Sequence, residues 1–88
     1  MKTILITGAS SGIGCALAKI YAENSHNLVL VARREEKLKD LKEELEKKHS
    51  ISVIIEVMDL SKKENLEILS LKYKNIDVLI NNAGLGQY

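Results

Sequence analysis

Three short stretches hold the residues that could do chemistry. The first is TGASSGIG, Thr7 to Gly14, with glycines at 8, 12 and 14. Gly8 can turn the chain tightly, and Gly12 lets a ligand approach the backbone without a side chain in the way. Gly14 lets a following helix pack closely. Backbone N–H groups at the start of that helix, at the positive end of its dipole, suit a pyrophosphate. Ser10 and Ser11 add hydroxyl donors. The second stretch is Val31-Ala32-Arg33-Arg34, about 20 residues further on, whose two guanidinium forks suit a phosphate. The third is Asn81-Asn82-Ala83-Gly84, near the end of the chain. A phosphate loop of the nucleotide-hydrolase type is excluded, because that loop closes on Gly-Lys-Ser/Thr and here the residues are Gly12-Ile13-Gly14.

These stretches need elements to position them, and the hydrophobic pattern supplies an alternation. Thr3 to Thr7 is short, apolar and β-branched, as a buried strand should be. After the glycine turn, GIGCALAKIYAEN predicts a helix with Ile13, Leu17, Ile20 and Tyr21 near its inner face. A second strand spans Asn27 to Arg33. A charged helix follows, with Leu38, Leu41 and Leu45 as a narrow inner stripe and Glu43–Lys47 and Glu44–Lys48 pairs on its wet face. Ile51 to Asp59 reads as a third strand. Ser61 and Glu64 have the spacing of a capping box for a third helix carrying Leu66, Leu69 and Tyr73. Ile76 to Ile80 forms a fourth strand. The order β-α-β-α-β-α-β implies an α/β fold with a parallel sheet and right-handed crossovers. A return of the fourth strand to the far side of the first gives the order 3-2-1-4 of a Rossmann-type, doubly wound dinucleotide-binding half.

The glycine spacing is G-x-x-x-G-x-G rather than G-x-G-x-x-G. With Thr7 in front, it resembles the cofactor loop of the short-chain dehydrogenases/reductases. NNAG at 81–84 is similar to that family's second motif, and Met58-Asp59-Leu60 to the acid ending its third strand. The resemblance covers the whole chain and about the first third of a usual member. It implies an oxidoreductase that moves hydride between a nicotinamide cofactor and a carbonyl/alcohol carbon. It implies a cofactor cradle of Gly8, Ser10, Ser11, Gly12, Ile13 and Gly14. By the same resemblance Asp59 reads the adenine amino group, with the Leu60 backbone alongside. Asn81 braces the central strands, and Asn82, Ala83 and Gly84 pass beside the cofactor ribose.

At the end of the second strand, an Asp or Glu would bind the 2′-hydroxyl of NAD, whereas Arg accommodates the 2′-phosphate of NADP. The acid is missing and Arg33 and Arg34 stand there, so NADP is the expected cofactor and NAD the less favoured one. Arg33 is expected on the phosphate and Arg34 over the adenine face. The alternative is that both simply open a charged helix, neutralised by Glu35 and Glu36.

The family's catalytic Ser and Tyr-x-x-x-Lys are not in this sequence. Position 25 is Ser25, four after Tyr21, and position 77 is Asp77, four after Tyr73. No catalytic residue is assigned. The expectation is that residues 1–88 form the N-terminal half of a cofactor domain, truncated before its catalytic part and inactive alone. A non-catalytic NADP(H)-binding regulatory module and an inert fragment are the alternatives. Val78, Leu79 and Ile80, lacking cover, are expected to favour self-association through strand four.

Composition sets outer limits. At 88 residues the chain holds one small domain, which buries only about 60–65% of its unfolded surface. The hydrophobic fraction is 45%, but aromatics are 3%, so aliphatic side chains must form the core. A net charge of +1 gives no reason to expect nucleic acid or an anionic membrane. No apolar run approaches the ~20 residues of a membrane span. The single Cys15 excludes an internal disulfide and fits a reducing cytoplasm. It reads as packing, and His26 and His49 as turn residues rather than metal ligands.

Overall fold

The computed structural model describes residues 2–10 and 12–82. Seven elements alternate: β1 (Thr3–Thr7), α1 (Gly12–Glu23), β2 (Asn27–Ala32), α2 (Glu35–Lys48), β3 (Val53–Val57), α3 (Lys63–Lys72) and β4 (Val78–Asn81). The strands form one parallel sheet in the order β3-β2-β1-β4, the Rossmann-type arrangement expected from the sequence. β1 and β2 lie inside the sheet and are buried along almost their whole length. That is why they read as continuous apolar runs rather than alternating ones. β3 is shorter than the sequence suggested, and β4 forms the opposite edge.

The two faces of the sheet are unequally covered. On one, Ile4, Ile6, Leu28, Leu30 and Val53 pack against α1 and α2 as the main core. Leu38, Leu41 and Leu45 of α2 are all buried there, as their spacing predicted. Glu35 and Glu36 open α2 and Lys47 and Lys48 close it, which complements the helix dipole. Glu44 pairs with Lys48 at 3.4 Å, and Glu35 with Lys39 at 3.2 Å. The Glu46 carboxylate accepts the Val53 N–H at 2.9 Å and so fastens α2 to the start of β3.

α1 departs from the expected face. Its buried residues are Gly14, Ala18 and Ala22, one turn apart. Ile13 and Ile20 are 63% and 53% exposed, while Leu17 and Tyr21 are only partly buried against the core. The helix lies so close to the sheet that only small residues fit between them. The larger aliphatics therefore flank the contact instead of making it.

The opposite face carries a smaller cluster of Leu5, Val29, Val31 and Leu69, with Met58, Tyr73 and Ile76 around it. Leu69 is the buried residue of α3; Leu66 is 49% exposed. Glu56 of β3 pins the C-terminal end of α3. It pairs with Lys72 at 2.7 Å and accepts a hydrogen bond from the Tyr73 hydroxyl. A groove of about 580 Å³ runs between α3 and β4, lined by Leu5, Leu66, Leu69, Tyr73 and Leu79.

The start of α3 also differs from expectation. Lys62 is the N-cap and makes no side-chain capping bond. Asp59 organises the turn instead: its carboxylate accepts the Ser61 N–H at 2.9 Å, and its carbonyl accepts the Lys62 N–H at 3.3 Å. Asp59 holds the Ser61 N–H two residues on, an Asx turn that displaces the capping box.

Candidate functional site

All four strands end at one edge of the sheet, because parallel strands put their carboxyl ends together. The register fixes the row. Thr7 pairs with Val31 and with Asn81, and Ala32 pairs with Val57. Beyond that row come the glycine turn after β1, Arg33 after β2, Asp59 after β3 and Asn82 after β4. The chain winds outward from β1 to β3 and then returns to β4. The carboxyl ends of β1 and β4 therefore flank the topological switch point, where ligands of open α/β sheets bind.

Gly8 has φ of 64° and Gly12 φ of 59°, the left-handed region that an L side chain enters only with strain. A Cβ at Gly12 would meet nothing within 4 Å, so this position opens onto free space. Gly14 is the opposite case. A Cβ there would lie 2.3 Å from the Gly8 carbonyl oxygen and 2.9 Å from Asn82 Nδ2. Gly14 thus sets how closely α1 approaches the turn, and Gly12 leaves the turn's outer side accessible. The first-turn amides of α1 have no intrahelical acceptors, and no acidic residue in that turn offsets their partial positive charge. This is a donor set that fits a pyrophosphate.

The end of β4 braces the turn. Asn82 is 6% exposed, and its side-chain amide donates to the Gly8 carbonyl at 3.2 Å. The buried Thr7 hydroxyl lies 3.2 Å from Asn81 Oδ1 and 3.4 Å from the Ile80 carbonyl. The family resemblance implies bracing by Asn81 and a ligand contact through the backbone of Asn82. In the structure both side chains brace, and that of Asn82 reaches the glycine turn itself. The pairing of a Thr before the turn with two Asn at the end of the fourth strand is the available signal.

Arg33 is exposed at the end of β2. The Met58 N–H donates to the Ala32 carbonyl at 3.0 Å, which carries the β2–β3 ladder one step past the strands and brings Asp59 level with Arg33. Hydrogen bonds from the Ser61 hydroxyl and N–H hold the Asp59 carboxyl below the usual carboxylate range. Burial opposes them weakly, and the charges of Arg33 and Lys62 reinforce them. Arg34, the N-cap of α2, is also exposed. Ser10, Ile13 and Leu60 border the same edge, whereas Ser11, Ala83 and Gly84 lie outside the described residues. Among the described residues no group of His, Cys, Asp and Glu is placed to hold a metal ion, and no helix is long and apolar enough to cross a membrane. Cys15 is half-buried against the main core. His26 sits in the turn before β2, where its Nδ1 accepts the Lys2 N–H at 3.2 Å.

Comparison with known proteins agrees with this geometry. The family profile described as short chain dehydrogenase matches residues 2–88. The NADP-dependent 3-hydroxy acid dehydrogenase of Schizosaccharomyces pombe is 45% identical over 89 residues, covering 96% of this chain and 34% of that protein. An 11-beta-hydroxysteroid dehydrogenase of Pinus massoniana is 42% identical over 89 residues, covering 97% of this chain and 25% of the relative. A short-chain dehydrogenase from Sphingobium yanoikuyae, solved in complex with NADPH, superposes with a TM-score of 0.88 at 38% identity. That match covers 93% of this chain and 34% of the solved one. The chain therefore spans about a quarter to a third of the length of the relatives it matches.

Proposed function

Because the chain belongs to the short-chain dehydrogenase/reductase family of oxidoreductases, we propose that residues 1–88 are the NADP(H)-binding segment of such an enzyme. The observation that carries this is the glycine turn, with an open position at Gly12 and a helix start free of acids, in line with two arginines at the end of β2. The turn amides of Gly12, Ile13 and Gly14, with the hydroxyls of Ser10 and Ser11, hold the pyrophosphate. Arg33 takes the 2′-phosphate and Arg34 covers the adenine face. Asp59 reads the adenine amino group beside Leu60, and the backbone of Asn82, Ala83 and Gly84 lies along the ribose. The nicotinamide, once bound, carries the hydride.

The complete oxidoreductase acts on a carbonyl or alcohol carbon. The Ser and Tyr-x-x-x-Lys that polarise and protonate the substrate oxygen are not among residues 1–88, so this segment binds and does not turn over. The same proposal includes a cytoplasmic location, supported by the single cysteine. It also includes self-association of the 88-residue chain through β4, supported by the edge position of that strand and the 64% exposure of Leu79. Sedimentation of Leu79→Lys should then give a smaller species than wild type; equal sizes refute self-association.

Calorimetric titration with NADP and with NAD tests the cofactor reading. A guanidinium–phosphate hydrogen bond is worth about 1.5–3 kcal/mol. Arg33→Ala should therefore weaken NADP about 10- to 100-fold and leave NAD nearly unchanged. A parallel loss for both, or no binding by the wild type, refutes the reading.

A further inference from the structure

Asp59 is held by three hydrogen bonds, two from the adjoining turn and one from a side chain within α3. Its carboxylate is fixed by the adjoining turn through Ser61. Its carbonyl also accepts a hydrogen bond from the side-chain amide of Asn65, six residues on in the first turn of α3, at 2.7 Å. Asn65 is half-buried, and its own N–H donates to the Lys62 carbonyl at 3.1 Å, so its backbone is anchored as well. Beyond Val57, where β3 ends, and the Met58 N–H, where the ladder to β2 ends, the peptide following Asp59 is held by two bonds to its carbonyl, the Lys62 N–H at 3.3 Å and the shorter one from Asn65. A carboxylate at an exposed strand end selects a ligand amino group only if its direction is fixed before binding.

We infer that Asn65 is a positioning residue for the adenine site: its amide clamps the Asp59 carbonyl and so aims the Asp59 carboxylate at the base. The inference rests on the NADP(H) reading above and adds a residue to it. Asn65 touches no ligand itself; its effect passes through the Asp59 backbone. It also ties the entry of α3 to the site. Movement at the start of α3 therefore changes base recognition.

The test is calorimetric titration of the full 88-residue chain with NADP and with its counterpart in which hypoxanthine replaces adenine. Hypoxanthine has no exocyclic amino group for Asp59 to read. Asn65→Leu removes the donor at similar volume, and Asn65→Asp puts a repelling oxygen in its place. Both should weaken NADP about three- to tenfold, the range for one lost hydrogen bond, and change the hypoxanthine dinucleotide less than twofold. Equal weakening of both ligands, or no weakening of either, overturns the inference. Amide exchange of Ser61 supplies a readout independent of any ligand. The clamp requires faster exchange at Ser61 in Asn65→Leu with β1 and β2 amides unchanged, and an unchanged Ser61 overturns it. Failure of the wild type to bind either dinucleotide refutes the NADP(H) reading and with it the adenine role; a faster Ser61 amide would then leave only a structural clamp.

Discussion

Replacing Gly14 with alanine adds one methyl group where α1 meets the glycine turn. That carbon would sit 2.3 Å from the Gly8 carbonyl oxygen, 2.9 Å from its carbon and 2.9 Å from Asn82 Nδ2. Two of the three obstacles are backbone, so a rotamer change cannot relieve them. Either α1 lifts from the turn or the turn distorts. Overpacking of this kind costs about 1–3 kcal/mol, and disrupting the buried Asn82–Gly8 hydrogen bond costs about 1–3 kcal/mol more. The gain from replacing glycine in a helix offsets at most about 1 kcal/mol. The net expectation is a loss of about 3 kcal/mol, against about 4–13 kcal/mol for a domain of this size. Gly12→Ala is the internal control. Its methyl meets nothing within 4 Å, and only the backbone angle of 59° opposes it, a cost of about 1–2 kcal/mol. Urea unfolding followed by circular dichroism should lower the midpoint of Gly14→Ala by about 2–3 M, taking a slope of about 1–1.5 kcal/mol/M. Gly12→Ala should fall by about 1 M. In an Asn82→Ala background the hydrogen-bond part of the Gly14→Ala loss should vanish and a loss of about 1 kcal/mol should persist, because the Gly8 carbonyl is still in the way. A shift under about 0.5 M for Gly14→Ala, or a larger one for Gly12→Ala, refutes the close-approach argument.

Three further outcomes are expected. Burial raises the Glu56 carboxyl, but hydrogen bonds from Lys72 and Tyr73 and the Lys72 charge outweigh it and hold it below the ordinary glutamate value. A depressed folded pKa gives stability that is present above the unfolded value and lost as pH falls through the folded one. Docking of α3 should therefore weaken below about pH 4, and Glu56→Gln should flatten that part of the acid unfolding profile. The same pair pushes the Tyr73 phenol up to about 12, through burial and then the Glu56 hydrogen bond and charge. This contribution is full below about pH 10 and lost as the pH rises toward 12. Glu56→Gln should lower the Tyr73 midpoint in alkaline ultraviolet titration, with Tyr73→Phe identifying the transition. Lastly, Asp59→Asn removes a negative charge level with Arg33. Both dinucleotides should bind less tightly, yet the preference for NADP over NAD should rise a few-fold in calorimetry. An unchanged ratio would mean that the carboxylate does not act on Arg33.

Much of the fold is legible in residue patterns. The strand order follows from four short apolar runs and the glycine turn, because right-handed crossovers leave few arrangements. The α2 stripe follows from Leu38, Leu41 and Leu45, since a wet helix shows its dry face by contrast. The inner face of α1 differs from the one its hydrophobic pattern predicts, for a physical reason. Hydrophobic periodicity ranks Ile13 and Ile20 above Gly14, Ala18 and Ala22, but close approach to a sheet selects small volume rather than large apolar area. The Ser61–Glu64 spacing likewise suggested a cap that Asp59 pre-empts through its own turn. At the site, Gly8, Gly12 and Gly14 were readable from their spacing. The second role of Asn82 was not, because its partner Gly8 lies 74 residues away. Asn65 lacked any signal, since an Asp and an Asn six apart form no recognisable motif.

That 74-residue span orders events in time. β1, α1, β2, α2 and β3 meet through neighbouring segments, but β4 must cross the length of the chain to reach β1. Loop closure of that size comes late, after the local units have formed. Until β4 arrives, Asn82 cannot support the Gly8 carbonyl and Thr7 lacks its Asn81 partner. The anion cradle at the beginning of the sequence is therefore finished by a residue that docks late. A nascent chain emerging from the ribosome would carry the complete TGASSGIG stretch without a competent cradle until β4 has been made. Dinucleotide added during refolding should accordingly act on the final docking step, slowing β4 departure while leaving the early collapse rate untouched.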